Sequence, residues 1–279
     1  MSRLKCNQYG KALVRVLKVL RGAQHEVCEL EADVLLRGDL EGSYLGPDNS
    51  SIVPTDTVKN TVRVLAYDSL GTCRTSFAKV LGEHFLGQYV HLDGVSVELR
   101  ERRWKRMNVE NDGREHSFVA EDNGEWFCRG EFVRAGTGIL SAGIRNHLIM
   151  KTTGSGFEGY PQCELTTLPP TNDRIFSTRL TAEWIFSDQA RDYGAADEAI
   201  LKAAYEVFSG TYSPSVQRTL FQIGEAALAA VPGIDEIALT LPNVHFLGMD
   251  LANLGRPGND CLFLPTDEPH GQIEAVVTR

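Results

Sequence analysis

The densest run of chemically capable side chains is Val53-Pro54-Thr55-Asp56-Thr57-Val58-Lys59-Asn60-Thr61, where hydroxyls, a carboxylate, an ammonium and an amide follow one another. Such groups donate, accept and relay protons. The same run leads into a helical pattern, with Val58, Val62 and Leu65 on one face, so Asp56 also fits an N-cap position entered through Pro54. Further polar stretches stand between apolar segments and read as loops: Tyr9-Gly10-Lys11, Gly156-Phe157, Asp173-Arg174, Ser215-Val216-Gln217 and Leu241-Pro242-Asn243-Val244-His245. Each has a structural explanation when taken alone. Lys11 fits a solvated strand edge, Arg174 a surface pair with Asp173, Gln217 the wet side of a helix, and His245 a satisfied core position.

Common site signatures do not fit the chain. Gly136-Thr137-Gly138-Ile139-Leu140-Ser141 is a broken dinucleotide fingerprint followed by a strand pattern instead of a helix. There is no P-loop and no H-E-x-x-H, and the seven histidines lack metal-ligand spacing among themselves or with cysteines. Gly154-Ser155-Gly156 is too short for a nucleophile elbow and reads as a flexible loop. With no cofactor site in view, the chemistry is expected to rest on side chains.

The elements that must position these residues follow from periodicity. Lys11–Arg21 and Glu26–Leu40 read as strands of a hairpin turned at Gly22-Ala23-Gln24. The helix from about Thr57 to Asp68 precedes a second, with Phe77, Leu81 and Phe85 on one face. Two long strand patterns follow, near 89–106 and 115–134, joined by the polar turn Asn111-Asp112-Gly113. Ala135-Gly136-Thr137-Gly138 marks a boundary, after which the order repeats: strands near 139–152 and 174–187, helices from Ala195 to Phe208 and after Ser213-Pro214, then strands at Ile234–Leu241 and within Leu262–Val277. The expected fold is α+β, with two tandem ββααββ domains at 1–135 and 136–279, each laying two helices on one face of an antiparallel sheet. The other face of each sheet needs a partner, and closing such sheets into a barrel across subunits would remove their open edges.

Composition bounds the class. The chain has 279 residues, 42% of them apolar and 23% charged, in the range of a water-soluble globular protein. A formal charge of −9 argues against a general affinity for nucleic acid. The one basic run, Arg100-Glu101-Arg102-Arg103-Trp104-Lys105-Arg106, ends an alternating stretch and reads as a strand with a solvated face. The six cysteines are scattered and without C-x-x-C spacing, so free thiols are expected. No apolar run is long enough for a membrane span. The absence of a signal peptide pattern and of a peroxisomal tripeptide at Val277-Thr278-Arg279 favours a cytoplasmic location.

Read together, the polar stretches carry a resemblance. Tyr9-Gly10-Lys11, Val53 to Thr61, Asp173-Arg174-Ile175-Phe176-Ser177-Thr178, Ser213-Pro214-Ser215-Val216-Gln217 and Leu241 to His245 resemble, in order and spacing, the urate oxidase (uricase) family over essentially the whole chain. Pro54, where many members carry alanine, is a minor departure. The resemblance implies a tandem pair of tunnelling-fold (T-fold) domains in a homotetramer whose active sites are shared between subunits. It implies oxidation of urate by O2 and water to 5-hydroxyisourate and hydrogen peroxide, without metal or organic cofactor.

By that resemblance, Arg174 forks onto one edge of urate and offsets its charge, and Gln217 meets the opposing amide edge with one donor and one acceptor. Phe157 stacks on the purine face. Leu168 and Val216 line the pocket, and the backbone N–H of Asp56 reaches substrate from the next subunit. Lys11, Thr55 and His245 match the proton relay, in which a lysine works near neutral pH only when burial or neighbours lower its pKa. Asn243 holds first dioxygen and then the attacking water. Two other readings stand beside this one: a different tunnelling-fold enzyme acting on a pterin or purine, and a catalytically silent purine-binding paralogue. The first generally anchors its substrate with a glutamate, and the second is expected to lack Lys11, Thr55 or His245.

Overall fold

In the computed structural model, residues 3–107, 116–187, 193–258 and 261–279 are described; the expected turn at 111–113 lies outside them. The chain divides into two compact units, Met1–Gly143 with Ile185–Asp197, and Ile144–Trp184 with Glu198–Arg279.

The first unit contains β1 (Tyr9–Leu20), β2 (Glu26–Gly38), a short α1 (Glu41–Leu45), α2 (Thr55–Ser69), α3 (Arg74–Gln88), β3 (Leu92–Arg106) and β4 (Phe118–Val133). Its strands lie in the order β1-β2-β3-β4, each pair antiparallel. Strict alternation on β2 sends Cys28, Leu30, Ala32, Val34 and Leu36 to the helix side, where all are buried. Val58 and Val62 of α2 and Phe77, Leu81 and Phe85 of α3 complete that core. Fully burying each large apolar side chain is worth about 1.5–3 kcal/mol, which fixes the register of the alternating strands.

The opposite face of this sheet is ion-paired, not merely solvated as the basic run suggests. Arg100 bonds Glu31 at 3.0 Å and Asp33 at 2.9 Å, and Arg15 bonds Glu31 at 3.0 Å. A second cluster is buried. Arg74 forks onto Asp197 at 2.5 and 3.1 Å, reaches Glu101 at 3.0 Å and donates to the Phe127 carbonyl at 2.9 Å. Arg103 joins Asp197 at 2.5 Å and lies 3.6 Å from the Trp126 ring centroid. Burial disfavours the Arg74 charge, but Asp197 and Glu101 more than offset this and hold the guanidinium above its ordinary value.

The second unit carries most of β5 (Ile139–Lys151), β6 (Phe176–Phe186) and α4 (Gly194–Gly210), then α5 (Val216–Ala230), β7 (Ile234–Thr240), β8 (Asn243–Gly248), β9 (Phe263–Gly271) and β10 (Glu274–Thr278). Its sheet runs β5-β6-β7-β10, with β8 pairing β6 and β9. The expected stripe Val216, Leu220, Ile223 and Ala227 is buried, and α5 packs on β7 and β10. The second ββααββ pattern therefore carries an inserted hairpin, β8–β9, between its last two sheet strands.

Several expectations are corrected at residue level. Residues 9–11 lie in β1, Thr55 and Asp56 in α2, Gln217 in α5, and Asn243 to His245 in β8, so these polar stretches sit in regular elements. Short polar runs read as loops when composition alone is considered, yet their backbones are paired in ladders and helical turns. The cysteines are free thiols, and burial pushes Cys28 and Cys128 up to about 12. No helix among the described residues is long and apolar enough to cross a membrane.

Candidate active site

In the first unit, Lys11 sits on β1 opposite Val34, where the ladder with β2 shifts register before Val14. Leu13 adopts φ 58° in that irregularity, and its N–H donates to Asp33 at 2.7 Å. Bulges of this kind re-aim neighbouring side chains. Beside Lys11, Gly10 has no room for a side chain, because a Cβ there would come within 1.9 Å of the Val34 carbonyl oxygen. The Tyr9 hydroxyl accepts the Val53 N–H at 2.6 Å, tying the Lys11 strand to the approach of α2. Burial pushes the Tyr9 phenol up, so it stays neutral.

Thr55 opens α2 and is exposed. Asp56 is not the N-cap: Pro54 occupies that position, and no side chain caps this helix. With the helix starting earlier than expected, Asp56 falls in the first turn, where its carboxylate is taken by Lys59 and by Asn60 at 3.0 Å. The Lys59 hydrogen bond chiefly holds that carboxyl low, and the Lys11 charge adds to it.

In the second unit, three chain segments are laced together. The Gly156 N–H donates to Ser213 O at 2.8 Å, and Ser213 N–H to Gly154 O at 2.9 Å. Phe157 and Thr171 exchange backbone hydrogen bonds at 2.7 and 3.1 Å. Ser155 is 1% exposed, so the segment expected to be a flexible loop is tied down on both sides. Gly156 is needed there, since a Cβ would meet the Tyr212 hydroxyl oxygen at 2.2 Å. The Ser213 segment runs directly into α5, which Ser215 caps by accepting the Arg218 N–H at 3.2 Å. Val216 and Gln217 therefore begin α5 beside the Phe157 segment, Val216 buried and Gln217 exposed.

Asp173 and Arg174 do not form the surface pair that their adjacency suggests. The Asp173 carboxylate accepts the Thr153 hydroxyl at 2.9 Å and the Gly154 N–H at 2.8 Å, which hold it below its ordinary value. Arg174 is left half-buried with no carboxylate partner among the described residues, its guanidinium carbon 5.6 Å from the Phe157 ring centroid. Burial lowers its pKa, and the neighbouring Tyr212 opposes this weakly. Farther on, β8 pairs with β6 through Thr178–Asn243 and Ser177–Val244, which sets Asn243 against the strand that Arg174 leads into, while His245 pairs with Thr266 of β9; both are half-buried. Leu168 is exposed, and its carbonyl accepts the Tyr160 hydroxyl at 2.5 Å.

Lys11, Thr55 and Asp56 thus belong to the first unit, and Phe157, Leu168, Arg174, Val216, Gln217, Asn243 and His245 to the second. A planar cation with no carboxylate partner among the described residues, beside an aromatic ring whose segment is tied to the start of the helix that carries the Gln217 amide, suits a flat anionic heterocycle. No group of three or more His, Cys, Asp or Glu side chains among the described residues is placed to hold a metal ion. Two residues have roles that sequence reasoning missed. Asp173 anchors the turn before Phe157, and Tyr160 stacks on Phe157 at 4.8 Å. The i, i+3 spacing of two aromatics was the available signal for the latter.

Comparisons with known proteins agree over the whole length. The Uricase family model matches residues 7–129 and 140–274. A uricase of Dictyostelium discoideum is 39% identical, with 100% of this chain and 98% of that protein aligned. A uricase of Oryctolagus cuniculus is 36% identical, with 97% and 93% aligned. The crystal structure of uricase from Arthrobacter globiformis superposes with a TM-score of 0.93 at 34% identity, covering 100% of this chain and 96% of that one. Matched end to end in both sequence and fold, the chain belongs to the uricase family.

Proposed function

We propose that this protein is a cofactor-independent urate oxidase. It converts urate, O2 and water to 5-hydroxyisourate and H2O2: urate gives up two electrons, O2 takes them with two protons, and water adds its hydroxyl to the oxidised ring. The observation that carries this reading is the half-buried Arg174 beside the Phe157 ring, its neighbouring carboxylate already engaged by Thr153 and Gly154.

Arg174 fits two parallel hydrogen bonds to one edge of the urate anion, and Gln217 reads the opposite amide edge. Phe157 supplies the stacking surface, Leu168 and Val216 the pocket walls, and the Asp56 N–H a further donor from a neighbouring subunit. Lys11, Thr55 and His245 form the relay that removes a proton from substrate or water and delivers protons to the nascent peroxide. Asn243 holds O2 and then water above the ring. Urate supplies the electrons, so the protein's part is orientation, proton management and exclusion of bulk solvent.

The assembly proposed is a homotetramer of tandem T-fold domains, with active sites between subunits and the sheets closed into a barrel. Its support is the exposed apolar side chains on strands: Leu13 at 62%, Leu17 at 57%, Ile139 at 54%, Met150 at 51% and Val276 at 58%. The deciding experiment mixes chelator-treated protein with urate in air-saturated buffer and follows urate absorbance, oxygen uptake and peroxide together. Equal consumption of urate and O2 with matching peroxide is expected. Urate that binds and stays unchanged would overturn the activity.

A further inference from the structure

We infer that Tyr160 is a positioning residue that sets the plane of the Phe157 ring and the place of the Leu168 wall, and so governs how tightly a flat purine is gripped. The inference rests on Phe157 being the stacking surface. The two rings lie 4.8 Å apart, with their planes only 11° from parallel, so one face of Phe157 is covered by Tyr160. A flat ligand is left with the other face. The Tyr160 hydroxyl donates to the Leu168 carbonyl at 2.5 Å. Phe157 itself is fixed at the backbone by its exchange with Thr171 at 2.7 and 3.1 Å.

These are two staples on one excursion of the chain. The backbone pair 157–171 closes its base, and the Tyr160–Leu168 bond closes it again farther out. An aromatic side chain held only at its backbone keeps broad freedom about χ2. A parallel ring on its rear face removes that freedom before ligand arrives, which lowers the ordering cost of binding. Tyrosine does both jobs, because its ring supplies the stack and its hydroxyl the tether. Arg174 approaches the same Phe157 ring, 5.6 Å from its centroid, so a tilted Phe157 would also disturb the cation that meets the ligand edge.

The test compares Tyr160→Leu, Tyr160→Phe, Phe157→Leu and the Tyr160→Leu/Phe157→Leu double variant, reading KM and kcat for urate and the dissociation constant of xanthine, a flat purine lacking the C8 oxygen. Tyr160→Leu is expected to raise KM and the xanthine constant about three- to tenfold, the range of an offset aromatic stack, with kcat nearly unchanged. Tyr160→Phe keeps the stack and should recover most of that loss. In the Phe157→Leu background, Tyr160→Leu should add almost nothing, since residues that act as a unit are not additive. A Tyr160→Leu effect that is absent, that falls on kcat alone, or that persists undiminished in the Phe157→Leu background overturns the proposal. Unchanged purine binding in Phe157→Leu itself would instead overturn the stacking role on which the proposal stands.

Discussion

Replacing Arg174 with glutamine should pull binding and stability in opposite directions. Glutamine keeps a donor and comparable reach but removes the charge and the second parallel hydrogen bond. Hydrogen bonds to charged groups are worth about 1.5–3 kcal/mol, so losing one charged contact of the fork should weaken purine binding roughly 10- to 150-fold. Stability should not follow. Arg174 is half-buried and has no carboxylate partner among the described residues, and burial lowers its pKa, so in the free protein its charge is a burden on the fold. The melting temperature of Arg174→Gln without ligand should therefore hold or rise, while the stabilisation conferred by saturating xanthine should shrink, because ligand stabilisation scales with affinity. Calorimetric titration of xanthine and thermal melts with and without it supply both readouts. A variant that melts earlier yet binds purine normally would mean that Arg174 is a structural residue.

Lys11→Met should leave purine binding largely intact and lower turnover by orders of magnitude; normal turnover would remove Lys11 from the relay. Asp197→Asn leaves Arg74, 3% exposed, with Glu101 as its remaining side-chain carboxylate among the described residues. Breaking a buried pair of this kind costs about 3 kcal/mol, a fall of roughly 6–12 °C in Tm, and a fall under about 2 °C would show the cluster to be dispensable. The Asp173 carboxyl is held below its ordinary value by the Thr153 hydroxyl first and the Gly154 N–H second. Its tie to the 153–154 turn is thus fully present above the ordinary carboxylate range and is lost only as pH falls through the lower folded value. An NMR titration of the Gly154 amide should report a midpoint below that of an ordinary aspartate; a midpoint at or above the ordinary value would contradict the assigned contacts.

Much of the scaffold was legible because burial has a period. Phe77, Leu81 and Phe85 recur at helical spacing, and Cys28 to Leu36 alternate as a half-buried strand must, so each segment carries its own evidence of type and of inward face. The repeated order of strands and helices could be read the same way, without residue identity. The polar stretches each allow a structural reading when taken alone, and the candidate residues could be named only through the resemblance of those stretches, in order and spacing, to the urate oxidase family.

Partner choice has no such period. Asp173 stands next to Arg174 in the chain but bonds Thr153 and Gly154, and that choice leaves the arginine open. Arg74 and Asp197 are 123 positions apart and meet in the interior. Asn243 and His245 read as a loop until β6 pairs with Asn243 and β9 with His245 to order them as a strand. Local propensity and hydrophobic spacing are properties of neighbours along the chain, so the sequence determined them directly. Which charge meets which, and which edge takes an extra strand, depends on distances between remote segments, and those exist only once the backbone has folded and each buried polar group has had to find a partner.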